Sequence, residues 1–145
     1  MDFDSLKYNE LCAKFLNLKQ NSEGYYLLPT LDKWYGENNF SEWCAAEGDF
    51  GQEHWLISPN NLSFDTNWTW IMAVVEKIEN IGKYTFSIDF NPIQGTCVMI
   101  HYSQVWGMSE LVIPASVHTS KKEAVVQAIW EFLNWYNQTI KYESQ

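Results

Sequence analysis

The hydrophobic period of this chain changes at Gly82, and that change restricts the folds open to it. Before the glycine, Trp68, Ile71, Met72, Val75 and Ile78 recur at three- and four-residue spacing, one face of a helix that Asp65 or Thr66 can cap. After it, Tyr84, Phe86, Ile88 and Phe90 alternate with Lys83, Thr85, Ser87 and Asp89, the pattern of a strand with one wet face. Asn91-Pro92-Ile93-Gln94-Gly95 then reads as a turn. Thr96 to Ser103 is apolar on both faces apart from its ends, which predicts an interior strand packed on both sides. Two such runs on either side of a short link make a hairpin.

The flanking sequence extends this pattern. Tyr8, Leu11, Cys12, Phe15 and Leu18 predict a helix over 4–18, and Tyr25 to Leu28 a short strand stopped by Pro29. Trp55-Leu56-Ile57 predicts another strand, closed by a turn at Ser58-Pro59-Asn60. Leu111-Val112-Ile113 reads as a β-rich piece ended by Pro114, placed at an edge or in a third hairpin arm. Ser120-Lys121-Lys122-Glu123 is a capping box opening a last helix that runs to about Gln138. Val125, Ala128, Ile129, Phe132 and Tyr136 form its inward stripe, with Val126, Trp130 and Leu133 widening it. The order predicts a single α+β domain over 1–145: a mostly antiparallel sheet of about four strands with three helices packed against it. An acidic, aromatic-rich insertion occupies about 31–65.

The runs from Phe64 to Ile78, with its "VVEKI" ending, and from Lys122 to Ile129 resemble small phage and prophage proteins carrying the phage ABA-sandwich domain. These proteins are similar in an aspartate-capped helix, a β-hairpin and a closing helix entered through a short Lys-Glu-Ala segment. The resemblance covers Leu11 to Tyr26 and Phe64 to Tyr136, and Leu31 to Asn61 departs from it most. It implies a phage or integrated-element source and brings no catalytic residues with it.

Composition narrows the chemistry. There are nine basic residues, all of them lysine, against 18 acidic ones, for a net charge of −9. A chain without arginine lacks the planar fork that grips phosphates, and an acidic surface repels DNA and anionic lipid. Neither direct nucleic-acid binding nor membrane association is therefore expected. The start Met1-Asp2-Phe3-Asp4 has no basic region followed by an apolar one, and no apolar run has the length of a membrane span, which predicts a cytoplasmic protein. Three cysteines, Cys12, Cys44 and Cys97, form no C-x-x-C pair and fit free thiols in a reducing compartment.

Candidate catalytic and metal-binding groupings are sparse. Cys97 and His101, four apart on one strand, lie about 13 Å apart at 3.3 Å per residue, too far to share a zinc ion. Cys44 and His54 lack further ligands at recognisable spacing, and Cys12 reads as core. His118 reads as a near-cap residue, and no nucleophile elbow or Cys/His signature accompanies it. Gly48-Asp49-Phe50-Gly51 puts a carboxylate where an anion cradle would need amides and a lysine. No cofactor or metal is expected, and no enzymatic activity.

Charge asymmetry is the informative feature. Between Leu31 and Asp65 lie Asp32, Glu37, Glu42, Glu47, Asp49, Glu53 and Asp65 against Lys33 alone, seven acids and one base, so this stretch carries −6 of the −9. Trp34, Tyr35, Phe40, Trp43, Phe50, Trp55 and Phe64 are interleaved with them. One reading is a cover folded over the core with its acids in water. The other is a contact surface for a basic protein groove, with Trp34, Trp43 and Trp55 as anchors and Glu37, Glu42, Glu47, Asp49 and Glu53 facing lysines or arginines. With the source implied by the resemblance, that surface predicts an inhibitor of a host defence protein, the groove belonging to a nucleic-acid-handling effector such as a CRISPR nuclease. A sponge for a nucleotide immune signal and a virion or regulatory accessory protein are the alternatives, and the oligomeric state is left open.

Overall fold

A computed structural model describes residues 3–28, 55–103 and 110–143. The chain divides into two compact units, Asp2–Val74 and Val75–Gln145, with Met1 grouped with the latter. The α+β class expected from the sequence holds. The strands, however, form two antiparallel sheets of three rather than one of about four, because each unit builds its own.

The N-terminal unit opens with α1 (Ser5–Phe15), whose cap Asp4 accepts from the Lys7 amide at 3.1 Å. Tyr8, Cys12 and Ala13 are its fully buried face. The helix stops short of Leu18 because Asn17 turns left-handed at φ 60°. The Asn17 and Leu18 amides then close back on the Lys14 and Ala13 carbonyls, each at 3.0 Å, a Schellman ending. Three strands follow: β1 (Lys19–Gln20), β2 (Tyr26–Leu28) and β3 (Trp55–Ile57), in the order β1-β2-β3. The two-residue β1 escaped the sequence reading. It is placed by an Asx turn in which Asn21 Oδ1 accepts from the Glu23 and Tyr25 amides at 2.9 and 3.0 Å. The expected turn after β3 is a short 3-10 helix, Pro59–Asn61.

Helix α2 (Trp68–Asn80) contains the boundary between the units. Its cap is neither Asp65 nor Thr66 but Asn67, whose Oδ1 accepts from the Thr69 amide at 2.9 Å. The buried face is Trp70, Ile71, Val74, Val75 and Ile78, and Trp68 and Met72, expected in the stripe, are exposed.

In the C-terminal unit, β4 (Tyr84–Asn91), β5 (Gly95–Tyr102) and β6 (Ser116–His118) form the second sheet, and α3 (Lys121–Glu143) packs on β5 and β6. Strand β5 is central, as expected, yet its burial alternates. Thr96, Val98 and Ile100 are buried while Cys97, Met99 and His101 are half-buried, so only one face is fully covered. Strand β4 buries Tyr84 and Phe86 but exposes Ile88 and Phe90, because its outer half runs beyond the core. Leu111 makes an isolated bridge to His101, and the Val112 amide donates to the Ile100 carbonyl at 2.8 Å. Pro114 cannot donate to a ladder, so pairing lapses there and resumes as β6, which the sequence reading missed. Ser120 Oγ caps α3 by accepting from the Glu123 amide at 3.3 Å. The wide stripe of this helix is buried throughout Val125, Val126, Ile129, Trp130, Phe132 and Leu133.

Candidate functional site

The acidic segment is set into the N-terminal sheet by its two ends. Strand β2 leaves at Leu28 and β3 returns at Trp55, and these residues are register partners, as are Leu27 with Leu56 and Tyr26 with Ile57. The intervening 29–54 therefore starts and finishes at adjacent points of one antiparallel pair. It carries Asp32, Glu37, Glu42, Glu47, Asp49 and Glu53 against Lys33, six acids and one base, or −5 of the chain's −9. Trp34, Glu37, Glu42, Trp43, Glu47, Asp49 and Glu53 lie outside the described residues, and so do Cys44, His54 and the Gly48–Gly51 stretch. Trp55 is the one proposed contact residue that falls on a described element, the first position of β3.

The last two residues of the charged stretch, Phe64 and Asp65, are bonded to the first helix. Phe64 is fully buried and packs edge-on against Trp70, with ring centroids 4.9 Å apart. Its carbonyl accepts from Tyr8 Oη at 2.9 Å, and its amide donates to Asn9 Oδ1 at 2.7 Å. The Asp65 carboxylate accepts from Ser5 Oγ and from Asn9 Nδ2. One aromatic and one acid counted with the charged stretch thus clasp 64–65 onto α1, and nothing in their sequence separates them from the acids before them.

Other candidate chemistry meets the geometry as follows. No group of three or more His, Cys, Asp or Glu able to hold a metal exists among the described residues. Cys97 and His101 share one face of β5, opposite Asp89 and Thr85 respectively. Ser87 Oγ lies 3.0 Å from His101 Nε2, the one hydroxyl–imidazole pair in the described chain. His101 Nδ1 is buried without a hydrogen-bond partner, so no carboxylate orients the ring as a triad requires. Burial holds the Cys12 thiol far above its ordinary pKa, and it stays protonated, a core group and not a nucleophile. No described helix is long and apolar enough to cross a membrane.

Two surfaces escaped the sequence reading. Tyr84, Tyr102, Phe132, Trp135 and Tyr136 form a continuous ring cluster, the Phe132–Tyr136 pair stacked at 5.5 Å and the Tyr84–Phe132 pair edge-on at 5.1 Å. Its outer members Tyr102, Trp135 and Tyr136 keep partial access to solvent. The end of the β4–β5 hairpin leaves Ile88, Phe90 and Ile93 39, 68 and 92% exposed. The alternation that predicted β4 carries no information about where the core ends along the strand. Comparison of the chain with protein-family models, with curated proteins and with solved structures returns no match.

Proposed function

We propose that this chain is a non-enzymatic, phage- or mobile-element-encoded protein of the cytoplasm. On this reading it binds a host defence protein and blocks its basic groove, in the manner of an anti-CRISPR. The observation that carries the reading is the concentration of −5 of the net charge, with Trp34, Tyr35, Phe40, Trp43 and Phe50, in a 26-residue connection, 29–54, that leaves and re-enters a sheet at the paired residues Leu28 and Trp55. Long connections held by a rigid base are where binding residues concentrate. Tryptophan and tyrosine are the usual anchors of such contacts, and like-signed carboxylates steer them toward a cationic surface. The phage source rests on the resemblance of 64–78 and 122–129 to ABA-sandwich proteins.

The test is a cleavage assay with purified DNA-targeting defence nucleases, read together with co-elution. The intact chain should slow cleavage and co-elute with its target. Glu47→Lys/Asp49→Lys/Glu53→Lys should weaken inhibition at least about tenfold and flatten the salt dependence of association, because steering by exposed charges is screened within about 10 Å at 0.1 M salt. An intact, folded chain that neither co-elutes with any such nuclease nor slows it overturns the proposal.

A further inference from the structure

Strand β4 is an edge of its sheet among the described residues: β5 pairs it on one side and no described strand on the other. The direction of its backbone groups follows from one bond. The Ser103 amide donates to the Lys83 carbonyl at 2.9 Å, continuing the Tyr84–Tyr102 register by one residue. Hydrogen-bonded pairs alternate along an antiparallel ladder. Lys83, Thr85, Ser87 and Asp89 therefore bond to β5, and the amides and carbonyls of Phe86, Ile88 and Phe90 point away from it, to the side where no described strand lies. Tyr102 and Ile100, the partners of Tyr84 and Phe86 in β5, point the opposite way, as their bonds to Glu110 and Val112 require.

Edges of this kind are ordinarily protected by shortness, proline, a bulge or a charge turned toward the edge. Strand β4 has eight residues, no proline and an unbroken register with β5, and its outer half leaves Ile88 and Phe90 in solvent. We infer that this edge pairs antiparallel with the β4 edge of a second copy, about a two-fold axis at Phe86, joining two three-stranded sheets into one of six.

The occupant is read from the strand's complementarity to itself. About an axis at Phe86, Lys83 faces Asp89 of the second copy, and the symmetry makes the ion pair twice. Both side chains are exposed. Thr85 faces Ser87, and Tyr84 faces Ile88, which gives the exposed isoleucine an aromatic neighbour across the strands. Phe90 comes level with Gly82, where no side chain obstructs it. An axis at Ser87 would set Lys83 against Asn91 and Thr85 against Asp89, neutralising neither charge. The interface is isologous, the commonest closed arrangement of identical chains.

Analytical ultracentrifugation of the full chain over a concentration series tests this. A monomer–dimer equilibrium is expected. Lys83→Glu and Asp89→Lys should each weaken the dimer roughly tenfold, since each turns two facing opposite charges into two like pairs. The double variant Lys83→Glu/Asp89→Lys should restore it. Hydrogen exchange at the Phe86 and Ile88 amides should slow as protein concentration rises, and circular dichroism checks that each variant is folded. A chain that stays monomeric to millimolar concentration overturns the inference. So does a dimer indifferent to the single reversals or not restored by the double one.

Discussion

Two antiparallel strand pairs of the molecule, β4–β5 and β2–β3, solve the same problem in opposite ways. Between β4 and β5, strands of eight residues are joined through 92–94. Their register is written into the turn: Asn91 Oδ1 accepts from the Ile93 and Gln94 amides at 2.8 and 3.2 Å, and Gly95 takes φ +97°. Between β2 and β3, strands of three residues are separated by all of 29–54. No turn can set that register. Burial sets it instead, for the facing pair Tyr26 and Ile57 are both only 2% exposed, and a slip of one residue would turn one of them outward. Lengthening a connection about eightfold adds roughly 2 kcal/mol of closure entropy, at ~0.6 kcal/mol per doubling. A sheet pinned by its core tolerates that cost, which leaves the sequence between its strands free to vary.

The sharpest way to break the comparison is at Gly95. A Cβ there would lie 2.4 Å from the His118 carbonyl oxygen, a backbone atom, and its φ of +97° disfavours any side chain. Gly95→Ala should lose about 3 kcal/mol in chemical denaturation, with strain and overpacking each contributing between 1 and 3. Hydrogen exchange should locate the loss in β4, β5 and β6. A loss below ~1 kcal/mol would mean that the turn does not govern this hairpin.

The corresponding lever in the N-terminal unit is a side chain. Asn9 is buried, accepts from the Phe64 amide and donates to the Ser5 carbonyl at 3.0 Å and to Asp65 Oδ1 at 3.3 Å. Asn9→Ala strands the Phe64 amide in the core and should cost about 2 kcal/mol, the range for an unsatisfied buried donor being ~1 to 3. Differential scanning calorimetry checks it. An unchanged melting temperature would show that Ser5, Tyr8 and packing suffice to hold 64–65.

How much of this was legible in the sequence depended on whether the signal was local. The capping box at Ser120, the strand at 55–57 and the hairpin at 84–102 all lie where a short pattern determines the structure. The cap of α2 was misplaced because Asp65, Thr66 and Asn67 are all competent caps, and only the tertiary bonds from Ser5 and Asn9 withdraw Asp65 from the competition. Strand β6 was missed because Pro114 reads as a stop, whereas here it merely interrupts pairing that continues past it. At the candidate site, the charge density of 31–65 was plain in the composition. That Phe64 and Asp65 belong to the core clasp was not, since long-range hydrogen bonds leave no periodicity behind.

The last predicted effect separates the units by pH. Tyr8 and Cys12 are one turn apart in α1, both buried, and burial raises both above their ordinary values of 10.0 and 9.0. A raised folded-state pKa means that the native unit holds protons the unfolded chain would release. Stability from these two groups is complete below the ordinary thiol value of 9.0 and declines as pH climbs above it toward the folded-state values. Each group contributes a slope of at most ~1.4 kcal/mol per pH unit. Urea denaturation from pH 7 to 11 should show a flat region giving way to a decline near pH 9. Cys12→Ala should defer the onset toward the tyrosine value, and Tyr8→Phe/Cys12→Ala should remove most of the decline seen in the exchange of α1 amides. A parent chain whose α1 amides are equally protected at pH 8 and pH 11, after correction for intrinsic exchange, would mean that burial of these two groups does not couple the N-terminal unit to pH.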